Sequence, residues 1–96
     1  MGKVIFAARA EADLDGILGY PASEWGDKQA LKYLEELEMR LNTLAENPHA
    51  GMGRNAIESG LFSFPIGSHI AYYLDISGGI VVVRLLHSSM DPLRHL

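Results

Sequence analysis

Four histidines, three of them beyond position 60, are the side chains of this chain best suited to acid–base work. His69 and His87 sit at the ends of two expected strands, with Arg84 three residues before His87 and Tyr72 and Tyr73 between them. A base, a phosphate clamp and a proton donor gathered on one sheet face could cleave RNA. The same spacing suits a capped sheet edge, in which His87 hydrogen-bonds a turn and Arg84 pairs with a carboxylate. Ser88 and Ser89 follow His87 directly. Adjacent strand residues point to opposite faces, so His87 is badly placed to activate Ser88, and no nucleophile elbow is present. His49 falls in a loop, where a histidine is usually inert. No histidines stand at helical i, i+4 spacing, and the chain has no cysteine. Neither a metal nor a cofactor is expected.

The elements that must position these residues follow from periodicity. Residues 3–7 form a short apolar run that reads as a buried strand. Ala10, Leu14, Ile17 and Leu18 then recur at helical spacing, with Glu11, Asp13 and Asp15 assigned to the opposite face. Pro21 is expected to end or kink this helix near Gly19-Tyr20, and residues 23–27 read as a turn with Asp27 as N-cap. A second helix is expected over 28–46, where Ala30, Leu34, Leu37, Leu41 and Leu44 make an apolar stripe that Asn47-Pro48 stops. Residues 49–60, with three glycines, read as an exposed loop. Strands are expected at 61–66, 69–75 and 80–86, joined by Gly67-Ser68 and by Ser77-Gly78-Gly79. The fold class is therefore α+β: strand, helix, helix, then three strands, with two antiparallel helices on one face of a small, mainly antiparallel sheet.

At 96 residues and 48% apolar, residues 1–96 read as a single domain. No run approaches the ~20 apolar residues of a membrane helix, and the first ten residues do not read as a secretory signal, so a cytoplasmic location and no membrane contact are expected. The net charge is −4, with five basic residues against nine carboxylates in residues 1–50 and a neutral balance thereafter. Binding to nucleic acid needs clustered Lys and Arg, because counterion release supplies most of the affinity. Direct nucleic-acid binding is not expected.

The C-terminal tail carries further candidates. Pro92 removes a ladder donor and holds Asp91 extended, so the chain must leave the sheet there. Met90 offers an adaptable apolar contact, and Arg94 and His95 offer polar ones, a set that suits a protein interface better than a nuclease pocket.

Several stretches together carry a resemblance: A-x-A-D-L-x-x-I at 10–17, EWG at 24–26, YLEELEMRLNTLAENPHAG at 33–51, FPIGSHIAYY at 64–73 and VRLLHSSMDPLRHL at 83–96. In this order they resemble the ParE toxins of the RelE/ParE superfamily of bacterial type II toxin–antitoxin systems, over nearly the whole chain. The resemblance implies a growth inhibitor that traps DNA gyrase and is neutralised by a ParD-like antitoxin, itself typically a DNA-binding dimer with a C-terminal segment that folds on the toxin. It also implies no catalysis. The RelE branch, which cleaves mRNA in the ribosome, is the alternative, and a remnant that binds antitoxin without toxicity is a third reading. His69 stands where the ribonucleases commonly have arginine, no tyrosine follows His87, and the chain is acidic. These departures favour contact over cleavage. The resemblance thus marks His69, Arg84, His87, Met90, Asp91, Arg94 and His95 as candidates for toxicity or partner contact.

Overall fold

A computed structural model describes residues 2–24 and 27–96, with the backbone alone described at 19–24 and at 27. The chain opens with β1 (Lys3–Phe6) and passes directly into α1 (Ala8–Glu24); α2 (Asp27–Glu46) follows. A 3-10 turn (Pro48–Ala50), β2 (Met52–Gly53), β3 (Leu61–Ile66), β4 (His69–Ile76), β5 (Gly79–His87) and a last short helix, α3 (Pro92–His95), complete it. The sheet order is β1-β5-β4-β3-β2, with β1 parallel to β5 and every other pairing antiparallel.

The two tight turns work because of their glycines. Gly67 has φ +57° and Gly78 has φ +84°, a left-handed region that costs glycine little. These turns set the register, placing His69 opposite His87 across β4 and β5. Gly79 has a different task. A Cβ there would lie 2.0 Å from the Lys3 carbonyl oxygen, so a side chain would push β1 off β5.

The helices bury the stripe that periodicity foretold. Ala10 and Ile17 of α1 and Ala30, Leu37, Leu41 and Leu44 of α2 are buried, and most of them pack with Ala71, Tyr73, Ile80, Val82 and Leu85 of the sheet. On the opposite face a smaller cluster joins Leu61, Tyr72 and Leu86, covered by Ile57, Val83 and Leu96. Tyr72 and Tyr73 are consecutive yet both buried, each in a different cluster. The strand alternation is real, but both faces have cover.

Three expectations need correction. α1 does not end near Gly19-Tyr20: it runs through Pro21 to Glu24. Proline's fixed φ of about −65° lies within the helical range, so it removes one donor without forcing the chain out of the helix. The turn expected at 23–27 is replaced in its first part by α1, α2 begins at Asp27 itself, and Trp25-Gly26 lie outside the described residues. Residues 49–60 are not all loop. Met52 and Gly53 pair with Ser63 and Phe62, and the Tyr73 hydroxyl anchors the segment by donating to the Pro48 carbonyl (2.6 Å) and accepting from the Gly51 N–H (3.1 Å). A two-residue edge strand with two glycines nearby leaves no period to read.

Leu37 is 1% exposed in the centre of the larger cluster, whereas Leu31 of the same helix is 60% exposed. Leu37→Ala is expected to lower unfolding free energy by about 2–5 kcal/mol. Leu31→Ala should change it by less than about 0.5 kcal/mol. Urea unfolding followed by circular dichroism measures both.

Candidate functional site

β1 stops pairing at Phe6, opposite Val82, so one edge of β5 runs on without a neighbouring strand. The Asp13 carboxylate of α1 takes over there, accepting the Leu85 backbone N–H at 3.0 Å. It also accepts a two-pronged contact from Arg84, Nε to Oδ2 at 2.7 Å and Nη2 to Oδ1 at 2.9 Å. Arg84 spends a further N–H on the carbonyl oxygen of His95, which Arg9 also reaches at 2.9 Å. The hydrogen bond to Asp13 raises the Arg84 guanidinium above arginine's ordinary value, so it is charged at every accessible pH. Asp13 therefore does not lie with Glu11 and Asp15 on the outer face. Its side chain is 16% exposed and that of Arg84 11%. Of the two readings of Arg84, the geometry selects pairing with a carboxylate.

His87 is exposed at the end of β5, and its Nδ1 accepts the Ser89 N–H at 3.1 Å with the Ser89 hydroxyl 2.7 Å away. That bond places the ring proton on Nε2. A histidine that activates a serine needs a third group on its far nitrogen, and no hydrogen-bond partner holds Nε2 among the described residues. His87 caps a turn.

His69 meets His87 edge to face, with ring centroids 5.5 Å apart. Its Nδ1 lies 2.5 Å from the Tyr33 hydroxyl of α2, which also accepts the Ser68 N–H at 3.2 Å. Burial first, and then the neighbouring His87, lower the His69 pKa below histidine's ordinary 6.5, while Asp13 opposes the shift. Burial also raises the Tyr33 phenol. The two rings line a groove of 410 Å³ between α1 and the ends of β4 and β5, with Ile17, Leu85 and Met90 among its apolar walls.

The tail candidates lie beyond β5, and of them Met90 also lines the groove. Asp91 caps α3, accepting the Leu93 N–H at 3.0 Å. Met90 is 37% and Leu93 72% exposed, flanked by Arg94 and by His95, whose carbonyl holds the arginines. The structure thus joins His69, His87 and Met90 at one groove, commits Arg84 and Asp91 to internal bonds, and leaves Arg94 exposed on the tail helix. His49 sits apart, against Asp75 (2.9 Å) and Phe62. Sequence reading missed Asp13, Tyr33 and Leu93. Asp13 had a signal: it falls three residues after Ala10 and four before Ile17, on the buried stripe.

The depressed pKa of His69 makes stability depend on pH. The unfolded chain binds a proton at histidine's ordinary value and the folded chain only at a lower pH, so folding loses stability as pH falls below about 6.5. The melting temperature is expected to drop between about pH 7.5 and 5.5, and His69→Gln should flatten that slope. A slope equal to the unsubstituted protein's would contradict the assignment.

Residues 4–92 match the family model described as ParE toxin of type II toxin-antitoxin system, parDE. Toxin ParE1 of Caulobacter vibrioides is 35% identical over 88 residues, covering 92% of this chain and 91% of the relative. Toxin ParE1 of Mycobacterium tuberculosis is 35% identical over 95 residues, with 98% and 97% covered. Toxin ParE of Escherichia coli is 32% identical over 97 residues, with 100% and 94% covered. Among solved structures, a chain of the chromosomal ParDE TA system from P. aeruginosa superposes with a TM-score of 0.74 at 21% identity, covering 91% of this chain and 96% of that one, which speaks to the fold. With a family match over residues 4–92 and relatives above 30% identity, the chain belongs to the ParE toxins of type II toxin–antitoxin systems.

Proposed function

We propose that this toxin acts by contact and not by catalysis, inhibiting DNA gyrase, and that a ParD-like antitoxin neutralises it by folding on its surface. The observation that carries the reading is the tail. Met90 and Leu93 present apolar side chains on a segment fixed to the scaffold through the His95 carbonyl, so an exposed apolar contact is held in place. Further support comes from the groups that would serve a nuclease. Arg84 is spent on Asp13 and His95, His87 caps a turn, and the net charge of −4 opposes docking on a polyanion. Among the described residues no helix is long and apolar enough to cross a membrane.

Deleting residues 91–96 is a poor test, because it takes the acceptor from Arg84 and Arg9 and strips Leu96 from the second core cluster. Leu93→Asp leaves the backbone acceptor in place. It is expected to reduce gyrase inhibition at least about tenfold, the scale of losing one buried apolar anchor, with an unchanged melting temperature and retained antitoxin binding. His87→Ala should reduce it far less than the roughly 10²–10⁴-fold loss that follows removal of a general base. Supercoiling assays on the purified protein read both. New codon-specific mRNA ends after induction, with gyrase untouched, would replace this reading with the ribonuclease one.

A further inference from the structure

On the second face of the sheet, Met52, Ser63 and Tyr72 stand in one row across β2, β3 and β4, each directly opposite the next. Ser63 is 3% exposed, and its hydroxyl accepts the Arg54 Nε–H at 2.9 Å. That bond fixes the half-buried guanidinium at the row and leaves its Nη1 and Nη2 groups free. Among the described residues Arg54 pairs with no carboxylate. A cation partly taken out of water, held in place and without a counter-charge is unfavourable, and an anion from outside would relieve it.

Tyr72 supplies a second group. It is 2% exposed, yet its hydroxyl makes no hydrogen bond to a described residue. No sealed side-chain oxygen or nitrogen among the described residues lacks a partner, so this hydroxyl opens at the surface. Burial raises the phenol above its ordinary 10.0, the Arg54 charge opposes the shift, and Asp91 adds to it. The hydroxyl therefore keeps its proton and can donate. Asp91 does not fill the vacancy beside Arg54: its carboxylate accepts the Leu93 N–H as the cap of α3 and forms no ion pair.

We propose that Arg54 and Tyr72 form a binding site for a single carboxylate, an Asp or Glu side chain of the protein that the tail contacts. The free edge of the guanidinium can hold both oxygens while the phenol donates to one of them. The exposed Met52 offers an apolar rest for the aliphatic stem. The tail borders the site, since Leu96 packs with Tyr72, so one partner can meet both. A phosphate dianion suits the site less well than a carboxylate, because the Asp91 charge repels it twice as strongly and the chain as a whole carries −4. The assignment rests on the reading above only for who supplies the carboxylate.

Acetate is the probe, with inorganic phosphate as the comparison, read from the Arg54 Nε–H signal of the full chain by nuclear magnetic resonance. Acetate should shift that signal saturably, with a Kd on the order of ten millimolar. Tyr72→Phe removes only the unbonded hydroxyl. It should keep the melting temperature, weaken acetate binding about tenfold and reduce gyrase inhibition by a similar factor. Asp91→Asn keeps a helix cap and should tighten acetate binding about two- to threefold. In the double variant Arg54→Met, Ser63→Ala, which leaves no buried hydroxyl stranded, the gyrase inhibition lost should be at least that of Tyr72→Phe. Acetate binding that Tyr72→Phe leaves unchanged, tighter binding of phosphate, or full gyrase inhibition by either variant would each overturn the proposal. A protein that binds acetate in this way and leaves gyrase untouched would lose the reading above and keep the site.

Discussion

The pairing of Asp13 with Arg84 is the constraint on which the remaining geometry rests. Two charges taken mostly out of water are unfavourable unless their lone pairs and protons are all met. Here each carboxylate oxygen and each guanidinium nitrogen has at least one partner: the carboxylate accepts from Nε, from Nη2 and from the Leu85 N–H, and Nη1 donates to the His95 carbonyl. Such a cluster contributes less net stability than its short distances suggest, since the desolvation of both ions offsets much of their attraction. Its effect is to select one arrangement. α1, the unpaired edge of β5 and the tail each supply a part, so sliding any one of them strands a charge.

From that point the division of the surface follows. β1 is only four residues long, which leaves β5 open beyond Val82 and makes room for a carboxylate from α1 instead of a strand. The tail leaves the sheet at a turn after His87 and comes back far enough for its carbonyl to meet two arginines and for Leu96 to pack with Tyr72 and Leu86. α3 is thus held by the His95 carbonyl and by Leu96 just beyond it, and Leu93 and Arg94 are left exposed. The tail thus joins Ile57 and Val83 in covering the second face of the sheet.

The element order was legible in the sequence because each long element repeats its pattern. The stripe of Leu37, Leu41 and Leu44 needs nothing beyond the helical period, and the strands from Leu61 onward are punctuated by glycine turns. What escaped depended on partners far away in the chain. Asp13 looks like one of three acidic residues near a helix start, and only its meeting with Arg84, 71 residues later, turns it inward. Met52 and Gly53 become a strand because Phe62 and Ser63 offer an edge, not because of their own propensity. Pro21 was read by its local cost, and the helix carries that cost. The groove was half visible: His69 and His87 were marked from the strand ends, whereas Tyr33 and Gly16 join them only once the helices are docked.

A double-mutant cycle on this pair tests the account most directly. Asp13→Asn, Arg84→Met and the double variant would be compared with the unsubstituted protein by urea unfolding. If the pair organises the fold, each single substitution strands its partner and lowers stability by roughly 3 kcal/mol. The double variant should then lie well above the sum, with a coupling of about 2 kcal/mol or more. Single effects that add to within about 0.5 kcal/mol would mean that the two residues act independently, and the tail, the open edge and α1 would need another explanation for their common position.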